Sequence, residues 1–147
     1  MEIKNRTCIP TQILESLIKE GIKNVECKDT NFKIQFNPGK YLSGMAYSKN
    51  NYCKIIVPIS RKGISFIWQT DFDLGQRIYE VIVHELKHIA DFQNQIYMGT
   101  YHQKKTNRPC EIRAIEAEQL AIQNMPLNLL DKLNEFLKIQ REKNGWN

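Results

Sequence analysis

Cysteine is sparse in this chain. The four cysteines, at 8, 27, 53 and 110, form no C-x-x-C pair, which excludes a zinc ribbon or a thioredoxin-type redox motif. Isolated cysteines of this kind are expected to be inert and partly buried. No run approaches the roughly 18 apolar residues of a membrane span. No apolar segment stands behind a basic cluster in Met1–Arg6, so no signal peptide is expected, and the expected setting is cytoplasmic. Repeats, linkers and low-complexity stretches are also missing.

What is present is ordinary for a globular domain: 147 residues, 41% hydrophobic and 25% charged. That length suggests one domain over residues 1–147, with enough buried surface to fold without disulfide staples. The formal net charge of +5 could draw nucleic acid. The lysines are scattered, however, the densest run being Lys104-Lys105, and no recognition helix or RNA-binding signature accompanies them. Nucleic acid is therefore not the expected partner.

Residues 11–20 place Ile13, Leu14, Leu17 and Ile18 on one helical face, with Pro10 as start signal and Gly21 as stop. Val25-Glu26-Cys27 is a weak strand pattern, and Phe32–Phe36 alternates as a half-buried strand. Asn37–Lys40 is a turn. Tyr41–Tyr47 and Tyr52–Ile59 are expected to be two strands joined by a turn at 48–51. Ile64–Trp68 is either a short strand or a packed loop. Asp71 and Asp73 offer N-caps for a long helix reaching about residue 95, buried through Leu74, Ile78, Val81, Ile82, Leu86, Ile89 and Phe92. A Tyr-bearing loop follows. Pro109 opens another helix over 109–124, with Ile112, Ile115 and Leu120 as its apolar side. Pro126 breaks it before a last helix running to about 141. Helix, strands, then three helices indicate an α+β fold.

The chemistry is concentrated at His84-Glu85-Leu86-Lys87-His88. Two of the chain's three histidines lie four residues apart, one helical turn, so both imidazoles share a face and can hold one Zn²⁺ ion. Glu85 leans to the same region and suits a general base acting on a zinc-activated water. A chance H-E-x-x-H is expected in roughly one such sequence in a few hundred. A catalytic zinc needs a third protein ligand. The metzincin extension would require Gly and His where Asp91 and Asn94 stand, which excludes that class. His102 is one candidate ligand, or a donor to the oxyanion, a role also open to Tyr97 and Tyr101. Asp91 could orient an imidazole, as could Glu80, for which a surface position is expected.

The stretch Arg108-Pro109-Cys110-Glu111-Ile112-Arg113-Ala114, some 20 residues past His88, resembles the glutamate helix of gluzincin-like peptidases. With His84-Glu85-x-x-His88 it looks like the minimal gluzincin group and is similar to the zincin core of the ImmA/IrrE-like peptidases. The resemblance implies Glu111 as third ligand, with Glu118, seven residues on and on the same side of the helix, as a supporting group or the alternative ligand. Relatives often carry Asp or Asn after the alanine, where this chain has Ile115. The family fold implies a small twisted, mostly antiparallel sheet packed on the active-site helix and the glutamate helix. Its edge strand would pair with an extended substrate, and Gly44 and Ala46 would suit close approach of a peptide backbone.

The expected function is zinc-dependent endopeptidase action on peptides or unfolded proteins, with Glu85 as general base. The alternatives are a catalytically silent zincin-fold module that binds a protein partner, and a basic nucleic-acid-binding protein. The tail from Lys138 to Asn147 is a candidate to fold over the cleft.

Overall fold

Leu74, Ile78, Ile82, Leu86 and Ile89 are wholly buried, and the helix that carries them is the one on which most other elements pack. The structure, a computed structural model, describes residues 1–28, 31–60, 63–64, 68, 70–96, 99 and 104–143. In chain order these form β1 (Glu2–Asn5), α1 (Thr11–Val25), β2 (Lys33–Pro38), β3 (Ser43–Tyr47), β4 (Tyr52–Val57), β5 (Ile59–Ser60), β6 (Gly63–Ile64), α2 (Asp71–Gln93), α3 (Pro109–Gln123) and α4 (Leu127–Lys143). A single 3-10 turn, Lys105–Asn107, leads into α3. The α+β class expected from the sequence is observed.

The sheet has four strands in the order β1-β2-β4-β3 and is mixed rather than mostly antiparallel. β1 runs parallel to β2 and β2 parallel to β4, while only the β3–β4 hairpin is antiparallel. The reason is connectivity: α1 intervenes between β1 and β2, and a helical crossover returns the chain in the same direction. The β3–β4 turn falls at the expected place, with Asn50 and Asn51 taking the left-handed conformation that asparagine tolerates. β3 forms one edge of the sheet. Gly44 and Ala46 pair with Ile55 and Cys53, whose side chains are fully buried, so they face inward, whereas Met45 and Tyr47 are exposed.

Gly21 does not stop α1, which continues to Val25 and ends at Glu26 in the left-handed region. The glycine sits where α1 crosses α2: an added Cβ would lie 2.8 Å from Leu86 Cδ1. The weak strand expected at 25–27 is instead the end of this helix. Thr70, rather than Asp71 or Asp73, caps α2, its hydroxyl accepting from the Asp73 amide at 3.1 Å. Both aspartates lie in the first turn, where negative charge favours a helix N-terminus.

α3 reverses the expected apolar side. Ile112, Ile115 and Leu120 are exposed, and Cys110, Ala114, Ala117 and Ala121 are buried. Small side chains let α3 lie close against α2, which brings the short reach of a glutamate to bear on α2. α4 buries Leu130, Leu133 and Leu137. Its Arg141 bonds Asp71 at 2.9 Å and the Trp68 carbonyl at 2.8 Å. Residues 138–143 are thereby pinned near the start of α2, about 20 Å along that helix from His84, and do not line the cleft; 144–147 lie outside the described residues. No helix among the described residues is long and apolar enough to cross a membrane.

Candidate metal centre and cleft

The 3.6-residue period of α2 sets His84 and His88 side by side, with their Nε2 atoms 3.2 Å apart. Pro109 opens α3 so that Glu111, in its first turn, meets both imidazoles. Glu111 Oε2 is 3.2 Å from His84 Nε2, and Oε1 is 3.2 Å from His88 Nε2. Glu118, two turns on, places Oε1 2.9 Å from His84 Nδ1.

A carboxylate only accepts, so Nδ1 of His84 donates to Glu118. In the neutral ring Nε2 would then face the Glu111 carboxylate acceptor to acceptor, an arrangement that either a proton on Nε2 or a metal ion relieves. Ligand atoms 2.0–2.1 Å from a tetrahedral centre lie about 3.3 Å from one another. The two imidazole nitrogens, 3.2 Å apart, match that spacing, and with one ligand atom taken from each of His84, His88 and Glu111 the three lie within 4.8 Å of one another. His84, His88 and Glu111 can therefore hold a metal ion.

The two rings differ in their electrostatics. Burial opposes charge on His84, but Glu118, Glu85 and Glu111 outweigh it and raise its pKa, favouring a second proton on Nε2 that a bound metal ion would displace. Burial and the adjacent His84 push His88 down to about 4, so its ring is neutral and available as a ligand. Glu85 is buried, its Oε2 finds no hydrogen-bond partner among the described residues, and burial lifts its pKa to about 7. Its carboxyl fills the space that a side chain on Gly44 would need: an added Cβ would lie 2.6 Å from Glu85 Oε1. The close approach at Gly44 is thus made by Glu85 itself.

These groups open into a cleft of about 710 Å³. One wall is β3 and its turn, from Gly44 to Lys49. The other holds Phe92, Lys105, Arg108 and Cys110, with His84, Glu85, His88 and Glu111 at the floor.

Asp91 does not orient an imidazole. It is fully buried and bonds Arg113 at 2.9 Å and Lys87 at 3.5 Å, tying α2 to α3. His88 Nδ1 has no hydrogen-bond partner among the described residues. Glu80 is buried rather than on the surface and pairs with Arg77 and Gln76. Tyr97, Tyr101 and His102 lie outside the described residues. Cys27, Cys53 and Cys110 are buried, and Cys8 is exposed. The sequence reading gave no role to Arg113 or to the cleft-lining Lys49, Lys105 and Arg108, although Arg108 and Arg113 stand in the Glu111 stretch and Lys105 in the densest lysine run. Each matters through what the fold sets opposite it, which no local pattern shows.

No protein-family model matches this chain, and no match emerges among curated proteins or solved structures.

Proposed function

We propose that this chain is a zinc-dependent endopeptidase of zincin-like, gluzincin-type architecture, acting on extended peptides or unfolded proteins. The observation that carries the reading is the juxtaposition at the floor of the cleft. Two imidazole nitrogens and one carboxylate surround a common point, with a second, buried carboxyl on Glu85 beside them. A metal site that served structure alone would not need Glu85, a carboxylate that costs free energy to bury. The choice of zinc follows from the donor set of two imidazoles and one carboxylate.

Bound there, zinc would supply Lewis acidity, lowering the pKa of water towards about 7. The protein does the rest. β3 has a free edge on the cleft side among the described residues and can take an extended peptide as an added strand, so main-chain hydrogen bonds hold the scissile bond over the floor. Glu85, with a pKa of about 7, stands near the pH at which a group can both accept a proton from the attacking water and return it to the leaving amine. Glu118 holds His84 in the tautomer that leaves Nε2 free.

Elemental analysis and a peptide-hydrolysis assay test the reading together. The wild type should carry about one zinc per chain and cleave unfolded protein, Glu111→Ala should lose the metal, and Glu85→Gln should keep it without activity. A wild type that binds no zinc after reconstitution, or a fully active Glu85→Gln variant, would sink the proposal.

A further inference from the structure

The charge of the cleft is divided in a way that peptide hydrolysis alone does not demand. Among the described residues its acidic lining is Glu85 and Glu111, both committed at the floor. The other charged lining residues are cations and come from both walls: Lys49 beyond the end of β3, and Lys105 with Arg108 on the approach to α3, where Lys105 is near enough to act on Glu85 and His88. Lys49 and Lys105 are exposed, and neither joins an ion pair among the described residues. Lys49 also lines a second hollow of about 420 Å³ that meets the cleft at Tyr47 and has no carboxylate among the described residues that line it. There Tyr47 stacks on Tyr52 with ring centroids 5.5 Å apart, and Lys33 lies over the Tyr52 ring at 5.9 Å, adding a further cation to this end of the cleft.

We propose that the cleft selects peptides with carboxylates on both sides of the segment lying over the metal site, one met by Lys49 and the other by Lys105. The inference rests on the reading of the cleft as a peptide-binding groove. Tyr47 is three residues from Gly44 along β3, so a strand paired to that edge brings its third residue from the floor, about 10 Å away, to the Tyr47–Lys49 end. A carboxylate there meets a cation instead of an acid. A lysine at the same place meets only like charge and must leave water without a partner. An acidic side chain and a free C-terminus share this chemistry, and the peptides below separate them.

The test measures binding by fluorescence anisotropy to zinc-loaded Glu85→Gln protein, in which cleavage cannot interfere. Four short labelled peptides share one apolar centre. One carries Glu on both flanks and an amidated end, the second Gln in place of Glu, the third Lys, and the fourth is the Gln peptide with a free C-terminus. Exposed ion pairs are weak, so the Glu peptide should bind about three- to tenfold tighter than the Gln peptide at low salt, with the Lys peptide weakest. The gap should shrink as salt screens the charges. It should vanish or reverse in the added double variant Lys49→Glu/Lys105→Glu. Tighter binding of the fourth peptide than the first would replace side-chain recognition by recognition of the chain end. Equal binding of Glu and Gln peptides, or a preference that survives in the double variant, would overturn the inference. The same peptides incubated with zinc-loaded wild type test the peptidase reading separately: charge-dependent binding without cleavage would sink the enzyme and leave the acidic-peptide groove standing.

Discussion

Gly44→Ala places a methyl group where the Glu85 carboxyl now sits, with the new carbon 2.6, 2.8 and 2.9 Å from Oε1, Cγ and Cδ of Glu85. Ordinary contact begins near 3.5 Å, so the carboxyl must retreat by roughly 1 Å. The fold can absorb that. The clashing atoms belong to the end of a flexible side chain, and Gly44 is not in the left-handed region, so alanine strains no backbone. Overpacking costs about 1–3 kcal/mol, offset by about 0.4–1 kcal/mol from the stiffer unfolded chain, which leaves a net loss of roughly 0–2.5 kcal/mol. The chemistry cannot absorb it as easily. A 1 Å misplacement of a reacting group costs on the order of 100-fold in rate, about 2.7 kcal/mol in barrier. The expected result is therefore a split: a small shift in urea midpoint, unchanged zinc content because no ligand is touched, and kcat/KM for a quenched peptide down by about two orders of magnitude. Activity within a factor of about two of wild type, or loss of zinc, would refute the placement of Glu85 against β3.

Glu118→Ala should weaken zinc affinity by about 10- to 100-fold in a chelator competition, since His84 loses the partner that fixes its tautomer; unchanged affinity refutes that role. Arg113→Met should destabilise the fold by about 2–4 kcal/mol in urea unfolding, because among the described residues fully buried Asp91 would keep only the Lys87 ion pair at 3.5 Å. A loss under about 0.5 kcal/mol would mean that the pair is dispensable. Burial raises the Glu85 pKa from 4.5 to about 7. Across that window the folded, metal-free chain retains a proton that the unfolded chain has released, so this group makes stability fall as pH rises. His88, held at about 4, acts with the opposite sign between 4 and its ordinary 6.5, while His84, raised, acts with the same sign as Glu85, so the wild-type trend alone does not isolate Glu85. Metal-free Glu85→Gln should therefore gain on the order of 2–3 kcal/mol over wild type between about pH 5 and 8, read from paired urea titrations. A constant difference across that range would show that the carboxyl is not desolvated.

The elements legible in the sequence were those whose signal is local. The apolar stripe of α2, the Pro109 start of α3 and the break at Pro126 depend on residues within one or two turns, and each element lies within a few residues of its expected bounds. The pairing of His84 with His88 needed only the pitch of a helix. β1 was missed because four residues carry too little pattern to mark a strand without the partner that makes it one. The wrong face of α3 was chosen because periodicity cannot see that helix contact here favours alanine over isoleucine.

What the sequence determined by itself was therefore the helix that presents two imidazoles and a neighbouring carboxyl, since spacing of 3.6 residues per turn fixes that geometry wherever the helix lies. Only the tertiary structure decided which glutamate faces the pair and which holds His84 from behind. It also bound Asp91 to Arg113 rather than to a histidine, and brought Lys49 and Lys105 into one cleft. Those choices depend on how α3 and the β3 edge dock on α2, which is settled by packing between residues far apart in the chain and leaves no period in the sequence to read.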